Sequence, residues 1–387
     1  MRDRYILADF DINDQLSEFH SYAGFRVDYI PDVPDSPVVD VLAYKLAGKK
    51  HASVCFCINT QTPKGKTYTS DAYNLDNYIG TLRKLYTQKS RYNDFLELAK
   101  NINVIIYQPN NVLVALKHIA RREPEFCAWL NQLRPIILSE GLPGNWLQQY
   151  FPDCNFVAIG QPYLENPQWV FPQLHTFKQH QPTKDFLCLM IAKTTAPNRD
   201  ILHKQMHEKD LLANSIYSYK ENQFTREKRL SDLPQSYSKV VVEGIGGSAE
   251  TLPPIHYYNQ TNVELVAETM NRDDGDDTFL ITEKTVKPIS MMHPFFVMSN
   301  CKFLYNLKQY GFKTFGEHTD ESYDSEEDVT KRASIITENM ARLKGKSIKF
   351  YNQTKAIREH NLVTLQHVTG TYKTRLWQTL SQLWKNL

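Results

Sequence analysis

A polar cluster lies in the stretch "TFLITEKTVKPISMMHPFFVM" at residues 278–298. An apolar segment ends there in Thr282, Glu283 and Lys284, and Lys287 follows about one helical turn later. A helix start explains the first two residues, because threonine is a good N-cap and the helix dipole stabilises an acid in the first turn. The two lysines would stand against that dipole, and a bound phosphate would offset the mismatch. The cluster therefore predicts either a plain helix cap or the wall of a phosphate-binding site.

Several acidic residues near this cluster are further candidates for a site. Glu268 ends the strand-like run "NVELVAET", and we expect it either to open onto the same cleft or to be an ordinary surface acid. Asp320 and Glu321 follow the strand-like "GFKTF" and are expected to face the cleft. Asp274 and Asp276 form a D-x-D pattern that would suit Mg²⁺ or Mn²⁺. Four acids around a glycine are more typical of a solvated turn, so we predict no metal site.

The elements that must position these residues are those of an α/β protein. Short apolar runs alternate with helical patterns along the chain, and most runs are apolar on both faces, as in parallel sheets covered by helices. We also expect short strands at "TFLITEK" and "GFKTF". The main strand-like runs are "SPVVDVLAY", "ASVCFCIN", "INVIIYQP", "RPIILSEG", "CNFVAIGQ", "DFLCLMIA", "SIYSYK", "NVELVAET" and "PFFVMSN".

A stretch rich in proline and glutamine at residues 162–185 lacks periodicity and predicts a junction between two α/β halves around a cleft. The tail is amphipathic, and we expect it to form a helix that docks onto the body of the protein, with a dimer seam as the alternative. The predicted segments are an N-terminal domain at 1–165, a linker at 166–185, a C-terminal domain at 186–360 and a C-terminal helix at 361–387.

The composition is that of a globular protein with a real core, since 41% of the 387 residues are hydrophobic. A net charge of +2 creates no field that demands nucleic acid or an acidic membrane. Two basic stretches with tyrosines, at residues 81–95 and 343–358, keep DNA contact open, although ordinary helix faces explain them more simply. Six scattered cysteines fit reduced thiols. With no apolar signal region and no apolar run of about 20 residues, we expect a cytoplasmic protein without a membrane partner.

The segment "FLITEKTVKPISMMHPFFV" resembles the donor-site motif of fucosyltransferases, in which Thr-Glu-Lys opens a helix and a proline-containing strand follows. It is more similar still to a group of phage-encoded glycosyltransferases. In "FLCLMIAKTTAPNRDIL", Arg199 matches the arginine of that group, whereas Asn198 replaces a histidine, whose role is therefore not carried over. The resemblance covers about residues 185–362. The other shared elements, in order, are Thr282–Thr285, Lys287–Ile289, His293–Phe295, Gly311–Phe315 and Asp320–Asp324.

This resemblance implies a GT-B-like fold, with two doubly wound Rossmann-like domains that face a cleft. A UDP- or GDP-linked sugar would bind to the C-terminal domain, beside Thr282 and Lys287. Glu283 would accept hydrogen bonds from donor hydroxyls, while Lys284 and Arg199 would neutralise the diphosphate leaving group. Fixed cations would then replace Mg²⁺, so that neither a metal nor another cofactor is expected.

An inverting transfer also needs a general base near the acceptor hydroxyl. We expect the first domain to supply it, and Glu140 is the best-placed candidate because it ends the strand-like "RPIILSE" before a glycine-rich turn. The acids and the histidine within residues 9–20 are weaker candidates. Glu268, from the second domain, is the other predicted catalytic residue.

The sequence therefore predicts a glycosyltransferase that moves a sugar from a nucleotide-sugar to an acceptor hydroxyl. One predicted acceptor is a hydroxylated or hydroxymethylated cytosine in phage DNA, which would place the enzyme in the host cytoplasm. The other is a glycan or a surface polysaccharide. A non-catalytic α/β phage accessory protein with a degenerate donor site is the alternative from another class. The sequence leaves the oligomeric state open.

Overall fold

The structure, a computed structural model, is α/β with parallel sheets. It divides into two compact units, Met1–Gly160 with Lys373–Leu387, and Gln161–Tyr372. The residues that it describes are 4–8, 25–29, 52–57, 86, 92–107, 112–161, 164, 180–190, 197–219, 255–268, 275–369, 374, 378–379 and 382.

The first unit contains a six-stranded parallel sheet in the order β2-β1-β3-β4-β5-β6. Its described strands are Arg4–Ala8 (β1), Phe25–Tyr29 (β2), Ala52–Cys57 (β3), Asn103–Tyr107 (β4), Ile136–Glu140 (β5) and Asn155–Gly160 (β6). Its described helices are Tyr92–Ala99 (α1), Val112–Arg122 (α2), Pro124–Leu133 (α3) and Gly144–Gln148 (α4).

The second unit contains a four-stranded parallel sheet in the order β10-β9-β7-β8. Its described strands are Phe186–Met190 (β7), Ser215–Tyr219 (β8), Val263–Ala267 (β9) and Phe295–Met298 (β10). Its described helices are Pro197–Glu208 (α5), Ile255–Asn259 (α6), Glu283–Ser290 (α7), Phe303–Gln309 (α8), Val329–Leu343 (α9), Ser347–Gln353 (α10) and Lys355–Val368 (α11).

Most of the strands expected from apolar runs are confirmed, because β9 and β10 are buried along their whole length and β3 to β8 lie where their runs predict. The run "SPVVDVLAY" lies outside the described residues. Two predicted strands are wrong. "TFLITEK" forms only a single bridge, at Phe279, and "GFKTF" contains no strand. Both segments are fixed by side-chain hydrogen bonds instead of a ladder.

None of the helices that the structure describes combines the length and the apolar character that a membrane span requires. The C-terminal helix was expected to begin at residue 361, but helix α11 runs through that position without a break. Most of the residues that follow α11 lie outside the described part of the chain.

A buried carboxylate fixes the edge of the second sheet at which its strands begin. Asp185, directly before β7, accepts hydrogen bonds from Gly345 N at 2.8 Å, from Asn214 Nδ2 at 3.2 Å and from the Ser347 hydroxyl. Gly345 has a φ of +70°, which a residue with a side chain adopts only with strain. The turn before α10 is thereby tied to the start of the central strand.

A second buried acid on the same sheet carries an unusual charge state. Glu264 on β9 is 5% exposed, and the Tyr258 hydroxyl donates to its Oε2 at 2.6 Å. Burial raises the pKa of Glu264 to about 8, although the Tyr258 hydrogen bond and the Lys287 charge act in the opposite direction. Since a buried carboxylate is costly, this side chain is held mainly in its neutral form at neutral pH.

The raised pKa of Glu264 predicts a pH dependence of stability. Between its ordinary pKa of 4.5 and about 8, the folded state keeps a proton that the unfolded state has lost. The free energy of unfolding should therefore fall as pH rises through this window, by up to about 1.4 kcal/mol per pH unit. Glu264→Gln should remove that component, as measured by urea unfolding at several pH values. Glu338→Gln, at an exposed acid, is the control, and an unchanged slope in Glu264→Gln would contradict the prediction.

Candidate functional site

The candidate site lies at the edge of the second sheet where its strands end, called here the carboxyl edge. From β7 the chain passes through α5 to β8 on one side, while β9 on the other side leads through α7 to β10. The strand order thus reverses between β7 and β9. In open parallel sheets such a reversal leaves a crevice beyond the strand ends, and ligands bind there.

Glu268 anchors this edge from directly after β9. It is 1% exposed, and its Oε2 accepts a hydrogen bond from the Thr282 hydroxyl at 2.5 Å. Its Oε1 accepts from the Thr285 hydroxyl at 2.6 Å and from Thr282 N at 3.3 Å. The expectation that Glu268 opens onto a cleft is wrong, because its carboxylate faces the buried start of α7. Its predicted catalytic role stays a prediction, and its contacts are those of a residue that positions the helix.

The predicted helix cap is confirmed at the start of α7. Thr282 has extended backbone angles, and its side-chain oxygen accepts a hydrogen bond from Lys284 N at 3.3 Å. Glu283 opens the helix and is 9% exposed, and Lys284 Nζ lies 2.6 Å from its Oε1. Burial raises the pKa of Glu283, but Lys284, Lys287 and a backbone hydrogen bond outweigh it, so the net shift is downward. The cap therefore presents an ionised carboxylate beside a partly exposed ammonium.

The position of Lys287 differs from the expectation. Helix α7 has eight residues, and Lys287 lies in its last turn, where the dipole favours a cation. Its charge acts on both Glu264 and Glu283. Only Lys284 stands at the positive end of the helix, so the mismatch that the sequence suggested for two lysines is wrong for one of them.

Arg199 reaches the same strand end from the start of α5. It is 6% exposed, and its NH2 group donates to Ala267 O at 3.3 Å. The neighbouring Asn198 donates from Nδ2 to Glu268 O at 3.5 Å. The structure thus brings Arg199 and the Thr282–Lys284 segment together at the end of β9, although more than 80 residues separate them in the chain.

The remaining acidic candidates serve local structure. Asp276 is fully buried, and its Oδ1 accepts a hydrogen bond from Thr278 N at 2.9 Å. Glu321 accepts from Phe315 N at 2.7 Å, and the exposed Asp320 accepts from Ser322 N at 2.9 Å. Asp274 lies outside the described residues. Within the part of the chain that the structure describes, no three acidic, histidine or cysteine side chains are grouped as metal ligands.

In the first unit, Glu140 is the last residue of β5 and pairs with Gly160 across a bulge. Its position at a strand end before a turn is as predicted, with Gly141 and Gly144 at φ values of +100° and +68°. The structure does not describe its side chain, so its role as a base stays a prediction. The candidates within residues 9–20 lie outside the described residues.

A groove of about 530 Å³ lies beside α8 in the second unit. Its lysines are already paired, Lys302 with Asp277 at 3.3 Å and Lys308 with Glu321 at 3.4 Å. Asp324, also in the lining, accepts hydrogen bonds from two backbone N–H groups at the start of α8. The charges of the groove are therefore satisfied within the protein.

Two contributors to the candidate site do not follow from the motifs alone. Thr285 completes the hydrogen bonds of Glu268, and Gln161 accepts a hydrogen bond from the backbone just before the cap. Thr285 lies one turn inside a helix whose cap was recognised, so its spacing from Thr282 was the available signal. The sequence carries no such signal for Gln161, because its role depends on a tertiary contact.

No protein-family model matches the chain, and no curated protein matches it. Among the solved structures that match is one described as the glycotransferase of kitacinnamycin, with 10% identity and a TM-score of 0.33. The alignment covers 98% of this chain and 99% of that one. At this TM-score the likeness supports no conclusion about fold or activity, which depend on the geometry above.

The hydrogen bonds of Glu268 predict a large effect on stability. Glu268→Ala leaves three buried donors without their acceptor, and we expect it to lower the free energy of unfolding by about 3 kcal/mol or more. Glu268→Gln keeps one acceptor oxygen and should cost less. Urea unfolding measures both. Glu338→Ala, at an exposed acid, should change the value by less than about 0.5 kcal/mol, and a similarly small effect of Glu268→Ala would overturn the assignment.

Proposed function

We propose that this protein is a glycosyltransferase of GT-B-like fold, with a nucleotide-sugar bound at the carboxyl edge of the second sheet. The observation that carries the proposal is the meeting of Arg199 with the Thr282–Lys284 segment at the end of β9. The arginine motif and the Thr-Glu-Lys motif, which carry the resemblance to glycosyltransferases, come together there, at the point where the strand order reverses. The parallel sheets of both units agree with two Rossmann-like domains.

The charges at this edge suit a sugar nucleoside diphosphate. Lys284 and Arg199 supply cations for the diphosphate, and the N–H groups that open α7 add favourable dipoles. The ionised Glu283 accepts hydrogen bonds from sugar hydroxyls. In the transfer, the acceptor oxygen forms a bond to the anomeric carbon while the bond to the diphosphate breaks, and the cations stabilise the leaving charge. A base, for which Glu140 is our candidate, takes the acceptor proton in an inverting reaction.

The described tyrosines of the two basic stretches favour a glycan over DNA as the acceptor. Tyr86 packs against Phe126 and Trp129, with ring centroids at 4.9 and 5.6 Å. Tyr351 is stacked by His180 on one side and lies 3.7 Å from the Arg358 guanidinium. The Tyr351 ring, covered by these two contacts, offers no free face for a stacking base, and Tyr86 is held in edge-on and tilted contacts within an aromatic cluster. Incubation with an oligosaccharide or with hydroxymethylcytosine DNA, followed by mass spectrometry, distinguishes the two acceptors.

Donor binding is the first test of the proposal. Calorimetry with UDP- and GDP-sugars should show saturable binding to the wild-type protein. Lys284→Ala removes a charge-assisted hydrogen bond to phosphate and should raise Kd about 10-fold or more. Lys355→Ala is the control, because Lys355 also pairs with an acid on its own helix, with its Nζ 3.7 Å from Glu359 Oε1 four residues further on. Equal binding by both variants would argue against the assigned site.

The non-catalytic alternative is separated by turnover. If the protein only binds the donor, no sugar is transferred to any acceptor and no free nucleoside diphosphate is released. The glycosyltransferase proposal predicts release of the nucleotide, and loss of that release in Glu283→Gln, which removes the charge but keeps the size of the side chain.

Transfer should also persist in excess EDTA. Fixed cations at the carboxyl edge perform the charge neutralisation that Mg²⁺ or Mn²⁺ supplies in metal-dependent transferases. The measurement is the initial rate of nucleotide release with and without the chelator. Activity that disappears in EDTA and returns with Mn²⁺ would contradict metal independence.

A further inference from the structure

The backbone just before the cap of α7 is held by a side chain from far away in the chain. Gln161 Oε1 accepts a hydrogen bond from Ile281 N at 3.0 Å, and both residues are fully buried. Gln161 is the first residue of the second unit and directly follows β6 in the chain. A contact across 120 residues thus fixes the residue before Thr282.

This hydrogen bond replaces one that a sheet would normally supply. Residues 280–282 belong to no strand, Thr282 has extended backbone angles, and the bridge next to them is at Phe279. Buried backbone N–H groups need a partner, and here side-chain oxygens provide it. Gln161 serves Ile281 and Glu268 serves Thr282, so the segment leading to the cap is held from two sides.

We propose that Gln161 is a positioning residue of the nucleotide-sugar site. This inference rests on the function proposed above. It makes Gln161, the first residue of the second unit, part of the framework of that site. Gln161 does not touch the ligand. It sets the position of Thr282, and through it the orientation of Glu283 and Lys284, whose small displacement would weaken contacts to a diphosphate.

A purely structural role for Gln161 makes a different prediction. If the hydrogen bond only supports the fold, its loss lowers stability and leaves donor affinity unchanged. If the hydrogen bond positions the cap, the cap relaxes in a variant that has no ligand bound. Binding must then restore the original geometry of the cap while Ile281 N has no acceptor. Affinity then falls, and the loss depends on the presence of Lys284.

The test compares three substitutions at this position. Gln161→Met has a similar size without an acceptor, Gln161→Asn keeps the amide but is too short to reach, and Gln161→Glu keeps an acceptor at the same length. We expect Gln161→Met and Gln161→Asn to raise the Kd for the UDP- or GDP-sugar bound by the wild type about 10-fold. Gln161→Glu should bind more tightly than Gln161→Met. Thermal unfolding shows which variants are folded. A single folded variant, either Gln161→Met or Gln161→Asn, is enough for the comparison of Kd.

A matched control and a double-mutant cycle complete the experiment. Asn361 also accepts a backbone N–H through a buried amide oxygen, from Lys313 at 2.8 Å, and Asn361→Leu should leave Kd unchanged. In the Lys284→Ala background the effect of Gln161→Asn should shrink, because the displaced contact is already missing. Unchanged Kd in both Gln161 variants, or fully additive effects, would overturn the inference. Absence of binding to the wild type would instead overturn the proposed function.

Discussion

The carboxylate of Glu268 is the interaction on which the candidate site depends. A buried acid is costly unless its oxygens are satisfied, and the two hydroxyls and one N–H group at the start of α7 satisfy this one. The same bonds determine where the helix begins. Because Glu268 directly follows β9, the position of the strand end is transmitted to Thr282 and Thr285 without a flexible intermediate. The geometry of the cap is therefore a consequence of the sheet.

The two edges of the second sheet have different roles. At the edge where the strands begin, Asp185 and Glu264 form buried networks that join strands to helices. At the carboxyl edge, the same kind of buried hydrogen bond holds a segment that carries partly exposed charges. Helix α7 connects both, since Thr282 caps it at one edge and Lys287 approaches Glu264 from its last turn. One short helix thus carries residues that act at both edges.

Local patterns predicted what local physics determines. Strands such as β9 and β10 were evident because they are apolar on both faces, and the N-cap at Thr282 followed from residue type. The apolar run "TFLITEK" predicts a strand wrongly, because composition does not reveal whether such a segment finds a neighbouring strand. For the same reason the role of Gln161 could not be predicted from the sequence, since it depends on a contact that only the folded chain creates.

The structure also changes the reason for expecting a ligand at this cap. Two lysines at the positive end of a helix suggested an anion, but Lys287 lies in the last turn and Lys284 is already paired with Glu283. An ordinary helix cap would therefore be enough to explain the charges of the two lysines. It would not account for Arg199, which is brought from another helix to the same strand end while its neighbour Asn198 fixes the adjacent carbonyl. The case for a diphosphate thus rests on convergence at the reversal of strand order, and not on the helix dipole.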